Sequence, residues 1–205
     1  MAPQSPPLVL ASGSTYKHGL MARLGYPFAV DPADIDEAPR AHERPRELAE
    51  RLAEEKARHV AARHPGALVL GCDQVVALGE AVLHKPGTYA RAVDQLMMLQ
   101  GHTHDLFCAI ALVSPAGDAL RATAHYAMTM RTMTRAQVER YVREDAPLDC
   151  AGSYKLEHGG VRLFSSMLGD DYTAIVGLPL TRVHALLDEV GFVQAFEAEA
   201  HQRIQ

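Results

Sequence analysis

Apolar residues run along this chain in short unbroken stretches and in helical repeats, and polar turns separate the two kinds. Residues 8–11, Leu-Val-Leu-Ala, form a short apolar run followed at once by Ser12-Gly13-Ser14. A buried strand followed by small capping residues predicts a strand and then a helix reaching Leu24, which Gly25-Tyr26-Pro27 stops. Residues 28–30 read as a short strand, and residues 31–44 as a polar, proline-punctuated loop carrying Asp34, Asp36 and Glu37. A long helix is expected over 45–63, with Pro45 suited to its first turn and His64-Pro65-Gly66 as its stop.

The second half returns to strands. Residues 68–70 predict a buried strand that pauses at Gly71, and 75–83 a small hairpin turning at Gly79-Glu80. A helix follows over 88–99, opened by Lys85-Pro86-Gly87. Two long β segments, 104–113 and 119–131, flank the loop Ser114-Pro115-Ala116-Gly117-Asp118. Thr134 caps a helix over 134–143, a glycine-rich stretch covers 150–160, and 161–165 reads as a strand. A last helix spans 179–190, and 194–205 reads as a polar tail, loose or weakly helical. This order predicts a mixed α/β fold in one domain over residues 1–193. Met128 and Met130 are expected in the core rather than at an interface.

Composition narrows the range of functions. The 205 residues are 48% hydrophobic, enough for a proper core. A net charge of -5 argues against a nucleic-acid or membrane-surface footprint, so a polyanionic ligand needs a local positive pocket. Cys72, Cys108 and Cys150 lie far apart with no C-x-x-C pair, which predicts free thiols in a reducing cytoplasm. The apolar run near the start is too short for a signal sequence or a membrane span.

Two charges sit where the apolar pattern should exclude them. Asp73 follows Gly71-Cys72 at what reads as the end of a buried strand, where a carboxylate needs a partner, a metal or a chemical task. A turn aspartate bonding its own backbone is the plain alternative. Lys56 falls inside the stripe of Leu48, Leu52 and Val60 when the helix is wound at about 100° per residue. Such a lysine meets a carboxylate or a phosphate, or packs its stem on the core and lifts its ammonium into water. Ser12, Ser14 and Lys17 lie between a strand and a helix start, a place that suits phosphate and equally suits an ordinary cap. Asp36 and Glu37 are candidates to join Asp73 around a hard cation such as magnesium, or are a solvated acidic loop. His102 and His104 lack further ligands at metal-site spacing, so His104 is expected to be structural. There is no H-E-x-x-H, G-x-S-x-G or Walker loop.

Read in order, the short blocks form a pattern. They are Leu10-Ala11-Ser12-Gly13-Ser14-Thr15-Tyr16-Lys17, Asp36-Glu37, Glu55-Lys56-Ala57, Gly71-Cys72-Asp73-Gln74, Lys85-Pro86, Gly101-His102-Thr103-His104, Cys150 to Glu157 (C-A-G-S-Y-K-L-E) and Ile175-Val176-Gly177-Leu178-Pro179. From Leu8 to about Gly191 the chain resembles the Maf family of nucleoside triphosphate pyrophosphatases. Tyr16, Gln74 and Glu157 are similar to the YceF-type branch, whose substrate is 7-methyl-GTP.

The resemblance implies an elongated mixed sheet flanked by helices, with two lobes around a central cleft, commonly as a homodimer. It implies hydrolysis between the α and β phosphates of a nucleotide with magnesium or manganese. Asp73 would take the proton of the attacking water or serve chiefly as a metal ligand, and Glu37 and Asp73 would hold the metal. Ser12, Ser14, Lys17, Lys56 and Lys85 would bind phosphate, and Tyr16, Gln74 and Glu157 would read the base. An aromatic face and a carboxylate suit a cationic methylated guanine. Thr15 and Lys17 stand where the family has proline and arginine, which makes the phosphate grip monodentate. Turnover of dTTP or UTP, and a non-catalytic nucleotide-binding role in cell division, are the alternatives. A bare structural pairing of Lys56 with Asp73 also fits the residues.

Overall fold

The strands assemble into one sheet because the long apolar strand at its centre offers a partner on both sides. The computed structural model describes residues 5–193, 196 and 197. Its strands are β1 (Leu8–Leu10), β2 (Ala29–Val30), β3 (Leu68–Leu78), β4 (Ala81–Leu83), β5 (Thr103–Val113), β6 (Ala119–Met130) and β7 (Phe164–Leu168). The helices are α1 (Thr15–Met21), α2 (Pro45–Ala61), α3 (Tyr89–Leu99), α4 (Arg135–Asp145), α5 (Thr173–Val176) and α6 (Leu180–Glu189). The sheet order is β2-β1-β3-β5-β6-β7, with β4 also on β3. β1 runs parallel to β2 and β3, and the pairs from β3 through β7 are antiparallel. The sheet is mixed, as expected.

β3 is continuous through Gly71, so Asp73 stands in mid-strand and not at a strand end, a correction to the sequence reading. Gly71 marks a close approach of backbones rather than a turn. A methyl group there would lie 2.0 Å from the Ala53 carbonyl oxygen and 2.7 Å from the Ala57 nitrogen. Helix α2 therefore rests directly on β3, and it covers one sheet face through Leu48, Ala49, Leu52, Ala53, Ala57 and Val60. The other helices cover the opposite face, where the larger core lies. Met128 and Met130 belong to that core.

Both edges available to β3 on the β1 side are short. β1 pairs only with Leu68 to Leu70, and β4 only with Val76 to Leu78. Between them the β1-side edge of residues 71–75 has no strand beside it, and this notch is where the cavity described below opens.

Other expectations differ in detail. Residues 159–163 form a 3-10 turn and the strand begins at Phe164, so the strand expected over 161–165 is displaced toward Leu168. The first helix tightens into a 3-10 turn over Ala22–Leu24 before Gly25, whose φ of 74° ends it. Helix α5 was not foreseen. The tail over 194–205 lies, apart from residues 196 and 197, outside the described residues. No helix among the described residues is long and apolar enough to cross a membrane.

His104 is structural. It is buried, with its Nε2 3.1 Å from the Tyr154 hydroxyl and Phe164 packed beside both rings. Burial lowers its pKa to about 4. The unfolded imidazole takes a proton near pH 6.5 and the folded one resists until about 4, so stability is present above the unfolded value and is lost as pH falls between them. This residue should remove up to about 3 kcal/mol over that window. Urea unfolding at a series of pH values is expected to show the difference between wild type and His104→Phe shrinking by that amount toward pH 4. A difference independent of pH would contradict a neutral His104. Gly71→Ala is expected to destabilise the protein by about 3 kcal/mol or more, read from the same urea curves, because α2 must lift off the sheet. An unchanged midpoint would contradict the backbone contact.

Candidate active site

The contact at Gly71 carries Lys56, which sits between Ala53 and Ala57 in sequence, onto the next outward position of β3. Lys56 Nζ lies 2.6 Å from Asp73 Oδ1 and 2.7 Å from Glu37 Oε1. The Lys56 and Asp73 side chains are 11% and 10% exposed, so this is a nearly dry pair rather than a surface ion pair. The apolar stripe of α2 thus delivers its ammonium to a carboxylate. Lys56 donates a hydrogen bond to Asp73, and Glu37 stands beside the same ammonium as a second counter-charge.

Glu37 reaches this point because the irregular loop before α2 is tied down. Arg51 is 13% exposed and donates from Nε and Nη2 to Glu43 at 2.5 and 2.9 Å, from Nη1 to Glu55 at 2.8 Å, and from Nη2 to the Ala38 carbonyl at 3.0 Å. Bonding to Arg51 holds the Glu43 carboxyl down at about 2. Arg63 and His64 grip Asp31 at the start of the same loop. Asp36 turns away. Its Oδ1 accepts from the Ala38 N–H at 3.0 Å and it lines a separate concavity on the outer side of α2.

A cavity of about 760 Å³ fills the notch in the sheet and extends beyond Asp73. Apart from Asp36, every residue expected at the site lines it: Ser12, Ser14, Tyr16, Lys17, Glu37, Lys56, Asp73, Gln74, Lys85 and Glu157. Ser12 Oγ accepts from the Ser14 N–H at 3.3 Å, and Ser14 caps α1 through the Lys17 N–H. Lys17 Nζ donates to the Cys72 carbonyl at 3.1 Å across the open edge of β3. Burial alone would lower the Lys17 pKa, but the facing Cys72 and Asp73 groups outweigh it and raise it, so the group stays an ammonium. Lys85 is exposed at the cavity and makes no ion pair among the described residues.

The other end of the cavity is built by the turn following α4. Gly152 and Ser153 both take left-handed conformations, at φ of 74° and 62°. Ser153 Oγ donates to Gln95 Oε1 at 2.5 Å, and Gln95 Nε2 donates to the His84 carbonyl at 2.7 Å. One α3 amide therefore joins this turn to the loop carrying Lys85. Beyond it Lys155 Nζ lies 2.9 Å from Asp149 Oδ1 and also meets the Tyr16 hydroxyl. Burial opposes the Lys155 charge, and Asp149 and Tyr16 more than offset this. Burial, together with Asp149 and Glu157, pushes the Cys150 thiol up to about 12, so Cys150 is not a nucleophile at neutral pH. All three cysteines are free.

Gln74 lines the cavity with part of its amide already bonded within the protein. Its Nε2 donates to the Ala174 and Ile175 carbonyls, both at 2.8 Å, which leaves only its Oε1 uncommitted. Sequence reasoning missed Asp149, Gln95, Arg51 and the α5 segment. The run Asp171-Tyr172-Thr173 was a readable cap: Asp171 accepts from the Thr173 N–H at 3.1 Å and the Thr181 N–H at 2.8 Å. Arg51 gave no such signal, because a buried arginine and an exposed one look alike on a helix rich in Glu and Arg.

The lining holds three ammonium groups, on Lys17, Lys56 and Lys85, against four carboxylates on Glu37, Asp73, Asp149 and Glu157. A polyphosphate entering this cavity meets no excess of positive charge. Among the described residues no three histidine, cysteine or acidic side chains form a metal cluster. What the cavity does offer is two hard oxygen donors, Glu37 and Asp73, converging on one cationic point. That set suits a magnesium-like ion which takes one or two carboxylates and completes its shell with phosphate oxygens and water.

Relatives match this chain over most of its length. A 7-methyl-GTP pyrophosphatase of Nitrosococcus oceani is 43% identical over 192 residues, covering 93% of this chain and 96% of its own. A 7-methyl-GTP pyrophosphatase of Pseudomonas putida is 45% identical over 186 residues, covering 90% and 97%. The solved structure of a HAM1 protein from Coxiella burnetii shares the fold, with a TM-score of 0.55 at 19% identity over 90% of this chain and 99% of that one. Residues 7–190 match the family described as Maf-like protein. The notched sheet, the Lys56–Asp73 pair and the blocks that line the cavity are thus those of a family member, and this chain belongs to the Maf family.

Proposed function

We propose that this protein is a nucleoside triphosphate pyrophosphatase that cleaves between the α and β phosphates, with 7-methyl-GTP as its preferred substrate. The observation that carries the reading is the convergence of Asp73, Lys56 and Glu37 at one end of a cavity whose other end holds Tyr16, Glu157 and Asp149. The names of the relatives support both the reaction and the base.

Cleaving a phosphoanhydride asks the protein for placement of charge and an oriented water. Lys56 gives its remaining donor to a phosphate oxygen while Glu37 and Asp73 fix its position. Lys17 and Lys85 hold the rest of the chain of phosphates, with Ser12 and Ser14 donating hydroxyls at the strand-to-helix loop. Asp73 accepts the proton of the attacking water, and the nucleoside monophosphate and pyrophosphate separate. Glu37 and Asp73 would also hold a magnesium or manganese ion. Such an ion offsets the charge of the phosphates and lowers the pKa of water when bound. At the base end the Tyr16 ring and the Glu157 carboxylate favour a positively charged purine, by ring attraction and hydrogen bonding.

Three outcomes follow. Asp73→Asn is expected to lose at least about a hundredfold in pyrophosphate release while melting near the wild-type temperature, and activity within a few-fold of wild type would remove Asp73 from the mechanism. Chelation should abolish turnover and added magnesium or manganese restore it, with Glu37→Gln raising the metal concentration needed about tenfold; an enzyme indifferent to chelators contradicts the metal. Across 7-methyl-GTP, GTP, dTTP and UTP, kcat/KM should be highest for the methylated nucleotide, and Glu157→Gln should narrow that margin about tenfold. Preference for dTTP or UTP would overturn the base assignment and leave the reaction standing.

A further inference from the structure

We propose that Asp149 decides the charge of the base this cavity accepts, by cancelling the Lys155 ammonium that stands behind Tyr16 and so leaving the Glu157 carboxylate free to favour a cationic purine. The inference rests on the base-binding role given above to Tyr16 and Glu157 and deepens it by one ion pair.

The pair begins with a lysine that cannot move away. The Lys155 N–H donates to the Tyr141 hydroxyl at 3.0 Å, and its carbonyl accepts from the Gly160 and His158 N–H groups at 2.9 and 3.2 Å. Gly160 packs so closely that a methyl group there would collide with the Lys155 carbonyl. The backbone of Lys155 is therefore fixed, and its side chain is only 11% exposed. The ammonium at its end meets the Tyr16 hydroxyl and stands 2.9 Å from Asp149 Oδ1. Tyr16 and Asp149 line the cavity, and Lys155 lies behind them.

A cation fixed behind Tyr16 works against the task of that ring. A bare ammonium so close repels a positively charged base at least as strongly as an aromatic face attracts it. Asp149 removes the conflict. The bond to Lys155 holds the Asp149 carboxyl below the usual carboxylate range, and Lys155 keeps its proton against burial, so the pair is ionised on both sides and carries no net charge. The Cys150 thiol, pushed up to about 12 chiefly by burial, adds none at neutral pH. Glu157 lines the same end of the cavity, exposed and in no ion pair among the described residues. The partners of the pair are also unequal: Lys155 is covered, whereas Asp149 is 58% exposed, so the negative member is the one a ligand meets. An ion pair with one partner this open adds little to stability, and its orientation is explained by the charge it presents.

Wild type, Asp149→Asn, Lys155→Gln and the double variant form a ladder of charge at this end, and the amides of the double variant keep the shape of the pair. The measurement is kcat/KM for 7-methyl-GTP divided by that for GTP, at low salt. The ratio is expected to fall about fivefold in Asp149→Asn, to rise about fivefold in Lys155→Gln, and to return within about twofold of wild type in the double variant. The changes should lie in KM and shrink in about 1 M salt. Asp149→Glu, which keeps the charge, should keep the wild-type ratio. A pair that only braces the turn would lower kcat/KM for both nucleotides by one factor; an unchanged ratio in either single variant therefore overturns the inference, as does a double variant no better than Asp149→Asn. If Asp149→Asn does not fold, Lys155→Gln decides alone, a rise supporting the inference and any other result overturning it. A wild-type ratio below one defeats the preference for 7-methyl-GTP, while the shifts between variants still decide the role of Asp149. If wild type turns over neither guanine nucleotide, inhibition constants of 7-methyl-GMP and GMP against dTTP turnover give the same ratio, and a protein that turns over no triphosphate overturns both readings.

Discussion

The site depends on one contact without side chains: the backbone of α2 lying on the backbone of β3 at Gly71. Helices usually stand off a sheet by the thickness of their side chains. Here the missing Cβ lets the helix sink, and the residue between the two points of contact, Lys56, is carried to within hydrogen-bonding distance of Asp73. An ion pair this dry gains little stability over an apolar pair of the same size, since both charges must leave water. Its retention in the core of a helix stripe makes sense as preparation of a cationic point that two carboxylates already surround.

That arrangement also explains why the cavity is nearly balanced in charge. The carboxylates that hold Lys56 cancel it toward solvent, so the site by itself has no strong pull on ordinary anions. A ligand filling this cavity must satisfy several groups at once, the Lys56, Asp73 and Glu37 cluster at one end and Tyr16, Asp149 and Glu157 at the other. The Gln95 bridge and the left-handed pair Gly152-Ser153 keep those ends at a fixed separation. Ordering is supplied by the fold in advance, which lowers what binding must spend on it.

Much of this was legible in the residues. The periodicity of α2 exposed Lys56 as out of place, and the acid in an apolar run exposed Asp73; neither needed a relative to be noticed. Most strands and helix ends followed from caps, glycines and prolines, as with Pro45, Thr134 and Gly25. What escaped was tertiary. Gly71 read as a pause because a glycine required by an approaching helix looks, in one dimension, like a glycine required by a turn. The commitment of the Gln74 amide escaped too, because nothing local shows that it reaches a segment 100 residues further on. The α5 turn went unread for a related reason, since a helix of four residues has no periodicity to detect and the cap formed by Asp171 was its one local signal. Its order comes from Asp171 and from β3.

The notch between β1 and β4 has a consequence for how this protein can vary. β3 is registered at both of its ends, to β1 at Leu68–Leu70 and to β4 at Val76–Leu78, so the five residues between form a ruler of fixed length. Removing or adding one residue there would exchange the faces on which an acid and an amide emerge, sending the carboxylate into the apolar side. The loop at 31–44 and the turn at 150–160 carry no such double anchorage of strand register. Those two segments can therefore absorb a change of length without shifting a strand register, while the strand between them can change only letter by letter.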